Sequence, residues 1–233
     1  QNVLIYGNSN PGFGNHGFTS YESNLMFINV TIANNSSGSG LNIGASDTLT
    51  LINSIIWNNE IVNGGAQLFI SYSNIQGGWD GEGNIDADPL FVDAADGDYR
   101  LSNYSPAIGA GIATGAPTTD IDGNARPNPS GSNPDIGAYE NALGTPSAPP
   151  VPTNLAATVG NGVVNLSWTG NDYSTSYSVY RSTTSGSGFT AIATGLSTTS
   201  YANTGLTNET TYYYKVSSTG HGGESDLTDE ISA

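Results

Sequence analysis

Nine residues of this chain return 24 positions later: Phe27-Ile28-Asn29-Val30-Thr31-Ile32-Ala33-Asn34-Asn35 comes back as Leu51-Ile52-Asn53-Ser54-Ile55-Ile56-Trp57-Asn58-Asn59. Ile28, Asn29, Ile32, Asn34 and Asn35 recur identically, and Leu25 recurs as Leu49. A weaker copy precedes them at Val3 to Asn8 and another follows at Ser73 to Gly77. Aligned on their central isoleucines, the copies centre on Ile5, Ile32, Ile56 and Ile75, spaced by 27, 24 and 19 residues. A period of this length, made of short β-branched runs punctuated by Gly and Asn, predicts a stacked repeat rather than a closed globule.

Local composition selects the kind of stack. Each copy reads as a strand of about five residues, an Asn-Asn or Gly-Asn turn, and a second short apolar run. The second runs are Leu41-Asn42-Ile43 and Leu68-Phe69-Ile70. No window sustains apolar residues at helical spacing, which disfavours helical repeats. Strands of successive turns pairing in parallel register make a parallel β-helix, with the four isoleucines in an inward column. Asparagines tolerate left-handed backbone and bond to neighbouring peptides, so Asn29 over Asn53 and Asn35 over Asn59 predict side-chain ladders at the turns.

The clearest punctuation is Gly144-Thr145-Pro146-Ser147-Ala148-Pro149-Pro150-Val151-Pro152, which reads as a stiff linker. It divides the chain into residues 1–143, a linker 144–152, and residues 153–233. The second part alternates at period two in seven short segments, from Asn154–Thr158 to Leu227–Ser232, the pattern of an immunoglobulin-like β-sandwich. The whole chain is therefore expected to be all-β.

Two resemblances sharpen these readings. Leu155 to Thr158, Val164-Asn165-Leu166-Ser167-Trp168 and Tyr177-Ser178-Val179-Tyr180-Arg181, with Gly205 to Val216, resemble a fibronectin type III domain. The resemblance implies that Trp168 is the core tryptophan. It also implies that Leu206 and Tyr212 form a corner in which the tyrosine hydroxyl bonds back to the backbone. Ile75-Gln76-Gly77-Gly78-Trp79, Asp86-Ala87-Asp88-Pro89-Leu90-Phe91, Asp120-Ile121-Asp122-Gly123-Asn124-Ala125-Arg126 and Asp135-Ile136-Gly137-Ala138-Tyr139-Glu140 are similar to the last rungs and C-terminal cap of bacterial right-handed parallel β-helix repeat proteins of the choice-of-anchor type. That resemblance implies a cap over the last rung, with Trp79 as a structural plug, and a secreted or cell-surface location. The first rung has no comparable cap, so upstream rungs or another protein chain are expected to cover it.

Charge narrows the partners. Residues 1–144 carry 14 acids against Arg100 and Arg126, and the chain as a whole carries −16. Such a surface excludes nucleic acid and anionic lipid as natural partners, and no apolar run reaches the length of a membrane span. There is no cysteine, so thiol chemistry and disulfides are absent. His16 and His221 stand apart in Gly/Asn-rich loops, and Glu22, Asp47 and Glu60 share no phase along the turns. No catalytic residues are expected in this segment.

Three candidate chemistries follow. Asp120, Asp122 and Asn124 alternate around a glycine, and with Asp135 and Glu140 they could give calcium six or more oxygen ligands. The alternative is that these carboxylates cap turns through backbone N–H groups while Arg126 supplies the counter-charge. Asp86, Asp88, Asp93, Asp96 and Asp98 form a second acidic run open to the same two readings. Tyr6, Ala33, Trp57 and Gln76 follow the inward isoleucines and should face outward in one column. Tyr6 and Trp57 are therefore candidate carbohydrate-stacking residues, unless a neighbouring loop covers them. The function expected is a non-catalytic scaffold, adhesion or polysaccharide-contacting role with the second domain as spacer. The alternative is the tail of an extracellular polysaccharide lyase or glycoside hydrolase whose active site lies upstream.

Overall fold

The computed structural model describes residues 1–8, 18–20, 23–35 and 40–233; His16 and Glu22 fall outside them. These residues fold as two compact units, Gln1–Pro146 and Ser147–Ala233, without an α-helix. Gly144 belongs to the packing of the first unit, where its carbonyl lies against Gly109. Pro149 and Pro152 are buried in the second, and the Pro150 carbonyl there accepts hydrogen bonds from Asn171 and Ser218. The stretch read as a linker is thus largely absorbed into the two units, because proline keeps its carbonyl as an acceptor.

The first unit begins with β1 (Val3–Tyr6), β2 (Phe18–Ser20), β3 (Asn24–Ile28) and β4 (Val30–Ala33). It continues with β5 (Leu41–Ile43), β6 (Thr48–Ile52), β7 (Ile55–Trp57), β8 (Ile61–Asn63), β9 (Gln67–Ser71) and β10 (Asn74–Ile75). They form three parallel sheets, β1-β4-β7-β10, β2-β5-β8 and β3-β6-β9, which the chain visits in the same order three times. Ile5, Ile32, Ile56 and Ile75 are in register, as expected. Ile32, Ile56 and Ile75 are buried with Leu41, Ile43, Leu49, Leu51 and Ile70 in one apolar core.

Each turn carries three strands rather than two. Asn29 and Asn53 take φ of 55° and 51°, and this left-handed corner divides the nine-residue repeat between two sheets. Leu68 to Ile70 pairs with β6, whereas Leu41 to Ile43 pairs with β2 and β8, so the two second runs belong to different sheets. The shortening of the period from 24 to 19 lies in two connections. Residues 34–40 give way to 58–60, and residues 44–47 to 64–66.

The asparagine ladders form. Asn53 Nδ2 donates to Asn29 Oδ1 at 3.4 Å, Asn58 to Asn34 at 2.8 Å, and Asn35 to Asn59 at 2.9 Å. A serine ladder runs beside them: Ser54 Oγ accepts from Val30 N and Ser73 Oγ from Ser54 N, both at 3.1 Å.

Residues 82–87 close the last turn. Ile75 N donates to the Ile85 carbonyl and Tyr72 N to that of Glu82. The rest of the expected cap does something different. After the hairpin β11 (Phe91–Asp93) and β12 (Asp98–Leu101), residues 105–140 run back along the outer side of β7 and β4. Leu101, Ala107, Ile108 and Ile136 pack on Ile55. Asn53 exchanges two hydrogen bonds of 2.8 Å with the backbone of Ile112, and Asn29 Nδ2 donates to the Asp135 and Gly137 carbonyls. The segment reaches the first turn, where Arg126 donates to Asn2 Oδ1 at 2.9 Å. It is a roof along the stack as well as a plug at its end. Gly137 makes the close approach possible: a Cβ there would lie 2.8 Å from Ile55 Cδ1. Trp79, expected as a plug, keeps 38% of its surface exposed.

The second unit is a two-sheet sandwich, fibronectin type III-like in its strand order. Its strands are β13 (Thr153–Gly160), β14 (Val163–Thr169), β15 (Ser176–Ser182), β16 (Thr190–Leu196), β17 (Ser200–Thr204), β18 (Tyr213–Gly220), β19 (Gly223–Glu224) and β20 (Ile231–Ser232). One sheet is β13-β14-β17 and the other β16-β15-β18-β19, with β20 also on β18. All pairs are antiparallel. Trp168, Tyr177, Tyr212, Tyr214 and Val216 share its core. Tyr212 Oη accepts from Thr207 N at 3.2 Å, the expected corner. Of the expected seventh strand, Leu227 to Ser232, only Ile231 and Ser232 pair as β20, and the short β19 precedes it at Gly223–Glu224.

Candidate functional site

The candidate residues gather in and under the roof. Its turn at Asp120 to Asn124 is built by one side chain. Asp120 Oδ1 accepts from Asp122 N (2.9 Å) and Asn124 N (2.8 Å), while Oδ2 accepts from Asn124 Nδ2 (3.0 Å) and Glu140 N (3.1 Å). Gly123, at φ 87°, supplies the backbone conformation the turn requires. Asp120 is thereby buried, and Asp122 and Asn124 are turned to the surface.

Behind the turn sits a buried ion pair. Arg126 Nε lies 2.7 Å from Glu140 Oε2, and both side chains are fully buried. Arg126 Nη2 donates to the Gly137 carbonyl at 3.1 Å. Glu140 Oε1 accepts from Asn128 N and Oε2 from Asp135 N. Asp135 is also fully buried, and its oxygens accept from Gly109 N (2.8 Å) and Asn141 N (2.6 Å). Burial and the neighbouring Glu140 carboxylate push its pKa up to about 7, against the pull of those two N–H groups and of Arg126.

The structure therefore brings Asp120, Asp135 and Glu140 together and leaves Asp122 and Asn124 outside. Every oxygen of the three buried carboxylates already accepts an N–H. Among the described residues there is no group of three or more His, Asp or Glu placed to hold a metal ion. The second acidic run behaves in the same way: Asp86 caps Gly77 N, Asp88 caps Leu90 N, Asp93 caps Asp96 N, and Asp98 pairs with Arg100. On the turns, Asp47 binds Ser23 N and Gly44 N.

The aromatic column is in place and largely roofed. Tyr6, Ala33 and Trp57 are in register. Ala33 is fully buried, and Trp57 packs against the core shared by Ile55 and Ile136. Tyr6 keeps 45% of its surface, and its ring lies 4.9 Å from that of Tyr99, which lies 5.1 Å from that of Phe91. Tyr99, buried, accepts from Asn34 Nδ2 through its hydroxyl at 3.0 Å.

Sequence reasoning missed the open side of the roof. A cleft of about 440 Å³ there is lined by Val92, Arg100, Asp122, Asn124, Asn128 and Tyr139, with Asp120 and Glu140 beneath. The β11–β12 hairpin, turning at Gly97 (φ 83°), presents Val92 and Arg100. Tyr139 is half-buried; burial first, then the nearby Asp122 and Asp98 carboxylates, raise its pKa. No helix among the described residues is long and apolar enough to cross a membrane.

No family model matches the chain. An 83-residue stretch is 40% identical to part of an amylopullulanase from Thermoanaerobacterium saccharolyticum, covering 35% of this chain and 6% of that protein. An 88-residue stretch is 40% identical to the amylopullulanase of Thermoanaerobacter thermohydrosulfuricus, with 37% and 6% covered. A solved Fn3-like protein from Clostridium thermocellum is 40% identical over 37% of this chain and 92% of its own, at a TM-score of 0.35. The chain thus spans about 6% of the length of the curated relatives it matches. Its second unit is a fibronectin type III-like domain similar to a segment of those proteins.

Proposed function

We propose that this chain is a non-catalytic, polysaccharide-contacting portion of a secreted or cell-surface protein. In this reading the three parallel sheets are the turns of a right-handed parallel β-helix, and the fibronectin type III-like unit is a spacer. The observation that carries it is the 40% identity of stretches of 83 and 88 residues of the chain to segments of amylopullulanases, whose names denote action on polysaccharide. Support for a scaffold comes from the carboxylates described above, which are engaged with backbone N–H groups rather than facing one another across a gap, as glycoside hydrolysis requires. The buried carboxylates read as turn caps with Arg126 as counter-charge, and calcium at Asp120, Asp122, Asn124, Asp135 and Glu140 is the second reading, favoured by the surplus of acids.

The proposed partner at the first turn is a further strand on each of β1, β2 and β3, from preceding rungs or from another chain. Among the described residues each has a neighbour on one edge only. Unpaired strand edges of this kind promote association.

Affinity electrophoresis in gels containing pullulan or soluble starch tests the reading, alongside a reducing-end assay and sedimentation of the same preparation. Retarded migration without release of reducing ends is the expected result. Release of reducing ends would favour the alternative of a polysaccharide-degrading enzyme. A stable monomer in sedimentation with strongly protected β1 amides would count against the open edge as a partner site.

A further inference from the structure

The cleft in the roof has the chemistry of a site for an uncharged polyol. Its floor is inert, since the oxygens of Asp120 and Glu140 are held by backbone and side-chain N–H donors. Its walls are not. Asp122 is exposed, and its carboxylate accepts no hydrogen bond from a described residue. Asn124 spends its amide N–H on Asp120 and keeps its carbonyl oxygen outward as an acceptor. Asn128 donates its backbone N–H to Glu140, leaving both ends of its side-chain amide available among the described residues. Arg100 binds Asp98 through Nε and Nη2, leaving Nη1 as a donor, and 60% of its side chain is exposed.

Between these groups stands one aromatic ring. Tyr139 is half-buried, and its hydroxyl has no partner among the described residues. Val92 adds apolar surface beside it. A cleft of about 440 Å³ lies within the roughly 300–1,000 Å³ range of small-molecule sites.

Charge decides among ligands. Asp98 neutralises Arg100, so the groups facing the cleft retain the charge of Asp122, above a unit that carries 14 acids against two arginines. That field repels phosphates, sulfates and uronates. A calcium ion needs six or more oxygens, and Asp122 is the one carboxylate of the lining whose oxygens are free. What remains is a ligand whose hydroxyls both donate and accept, with a C–H face to lie on a ring.

We propose that this cleft binds a neutral sugar residue of a polysaccharide. The Tyr139 ring lies against the C–H face of the sugar, and its hydroxyls bond to Asp122, Asn124, Asn128 and Arg100. The proposal rests on the reading of this chain as polysaccharide-contacting and names the place where contact is made. It also moves that contact from the roofed Tyr6–Trp57 column to the outer side of the roof.

The test is affinity electrophoresis in pullulan and soluble starch together with calorimetric titration of maltoheptaose, with polygalacturonate as the anionic control. Asp122→Ala removes an exposed side chain while leaving the backbone N–H that donates to Asp120. Tyr139→Ala removes the ring, and Tyr139→Phe keeps it. Thermal melts accompany each variant. The expected result is binding of the neutral glucans and not of polygalacturonate, a tenfold or greater loss of affinity for D122A and Y139A, and a smaller loss for Y139F. Wild-type affinity retained by both D122A and Y139A would overturn the cleft while leaving polysaccharide contact standing. Failure of the wild-type chain to bind any glucan would overturn both. Binding abolished by chelator would place a cation at Asp122 and overturn direct contact.

Discussion

Replacing Arg126 by methionine removes a charge from the buried pair while keeping much of the side chain's length. Three bonds are lost: Nε to Glu140 at 2.7 Å, Nη1 to Asn2 at 2.9 Å and Nη2 to the Gly137 carbonyl at 3.1 Å. The larger effect is on Glu140, left charged with two backbone N–H groups and no counter-ion in a position shut off from water. Breaking one side of a buried pair costs about 3–5 kcal/mol. For a cooperative unit of this size each kcal/mol shifts the midpoint by about 2–4 °C, so a fall of about 10 °C is expected. Circular dichroism gives the midpoint. Deuterium exchange of the Asn128 and Asp135 amides, both donors to Glu140, shows whether the loss originates there. Glu140→Gln alone should cost a comparable amount, and the double variant less than the two losses together, because no bare charge then remains. A midpoint for R126M within 2 °C of wild type, or strict additivity in the cycle, would refute the argument.

Two further predictions concern the same region. Asp135 binds its proton more tightly in the folded state, with a pKa near 7 against an ordinary 3.8, so its contribution is fully present below about pH 4 and is lost as pH rises through 7; the first unit should be less stable at pH 8 than at pH 5, by up to about 3 kcal/mol. Asp135→Asn should flatten that dependence, and a slope left unchanged in exchange-monitored stability would contradict it. Melting midpoints in chelator and in millimolar calcium at matched ionic strength should coincide if Arg126 is the counter-charge, and a midpoint that climbs with calcium would restore the metal reading of Asp120, Asp122, Asn124, Asp135 and Glu140.

Much of the first unit was legible because its repeat is nearly literal. The isoleucine register and the asparagine ladders follow from side chains that recur at fixed spacing. The third strand of each turn was not legible. A run as short as Ile61 to Asn63 carries too few residues to show a period, Leu41 to Ile43 and Leu68 to Ile70 read as equivalent although they belong to different sheets, and Asn29 and Asn53 look like turn residues inside what reads as one strand. The roof could have been suspected. β4 is Val30-Thr31-Ile32-Ala33 and its neighbour is Ile55-Ile56-Trp57, apolar on both faces, as expected of parallel strands covered on both sides. A solvent-facing column would not place Ala33 and Ile55 outward. The candidate cleft was illegible for a simpler reason: Arg100, Asp122 and Tyr139 meet only through the roof's path, which no local pattern encodes. The sandwich was legible nearly throughout, since alternation, Trp168 and the Leu206–Tyr212 pair are all local signals.

The path of the roof has a consequence for how the chain acquires its structure. Asn2 and Arg126 are bonded across 124 positions, and Asn29 reaches the Gly137 carbonyl across 108. During synthesis at roughly 5–20 residues per second, the early strands therefore wait several seconds for the segment that covers them. Throughout that interval β4 and β7 present Ala33, Ile55 and Trp57 to solvent on strands with strong β propensity and no charge, the composition that favours intermolecular pairing. Contacts so distant in sequence also slow folding, because loop closure comes before the contacts that reward it. A nascent chain of this kind matures from its far end backward, and its exposure to aggregation ends when residues near Glu140 arrive.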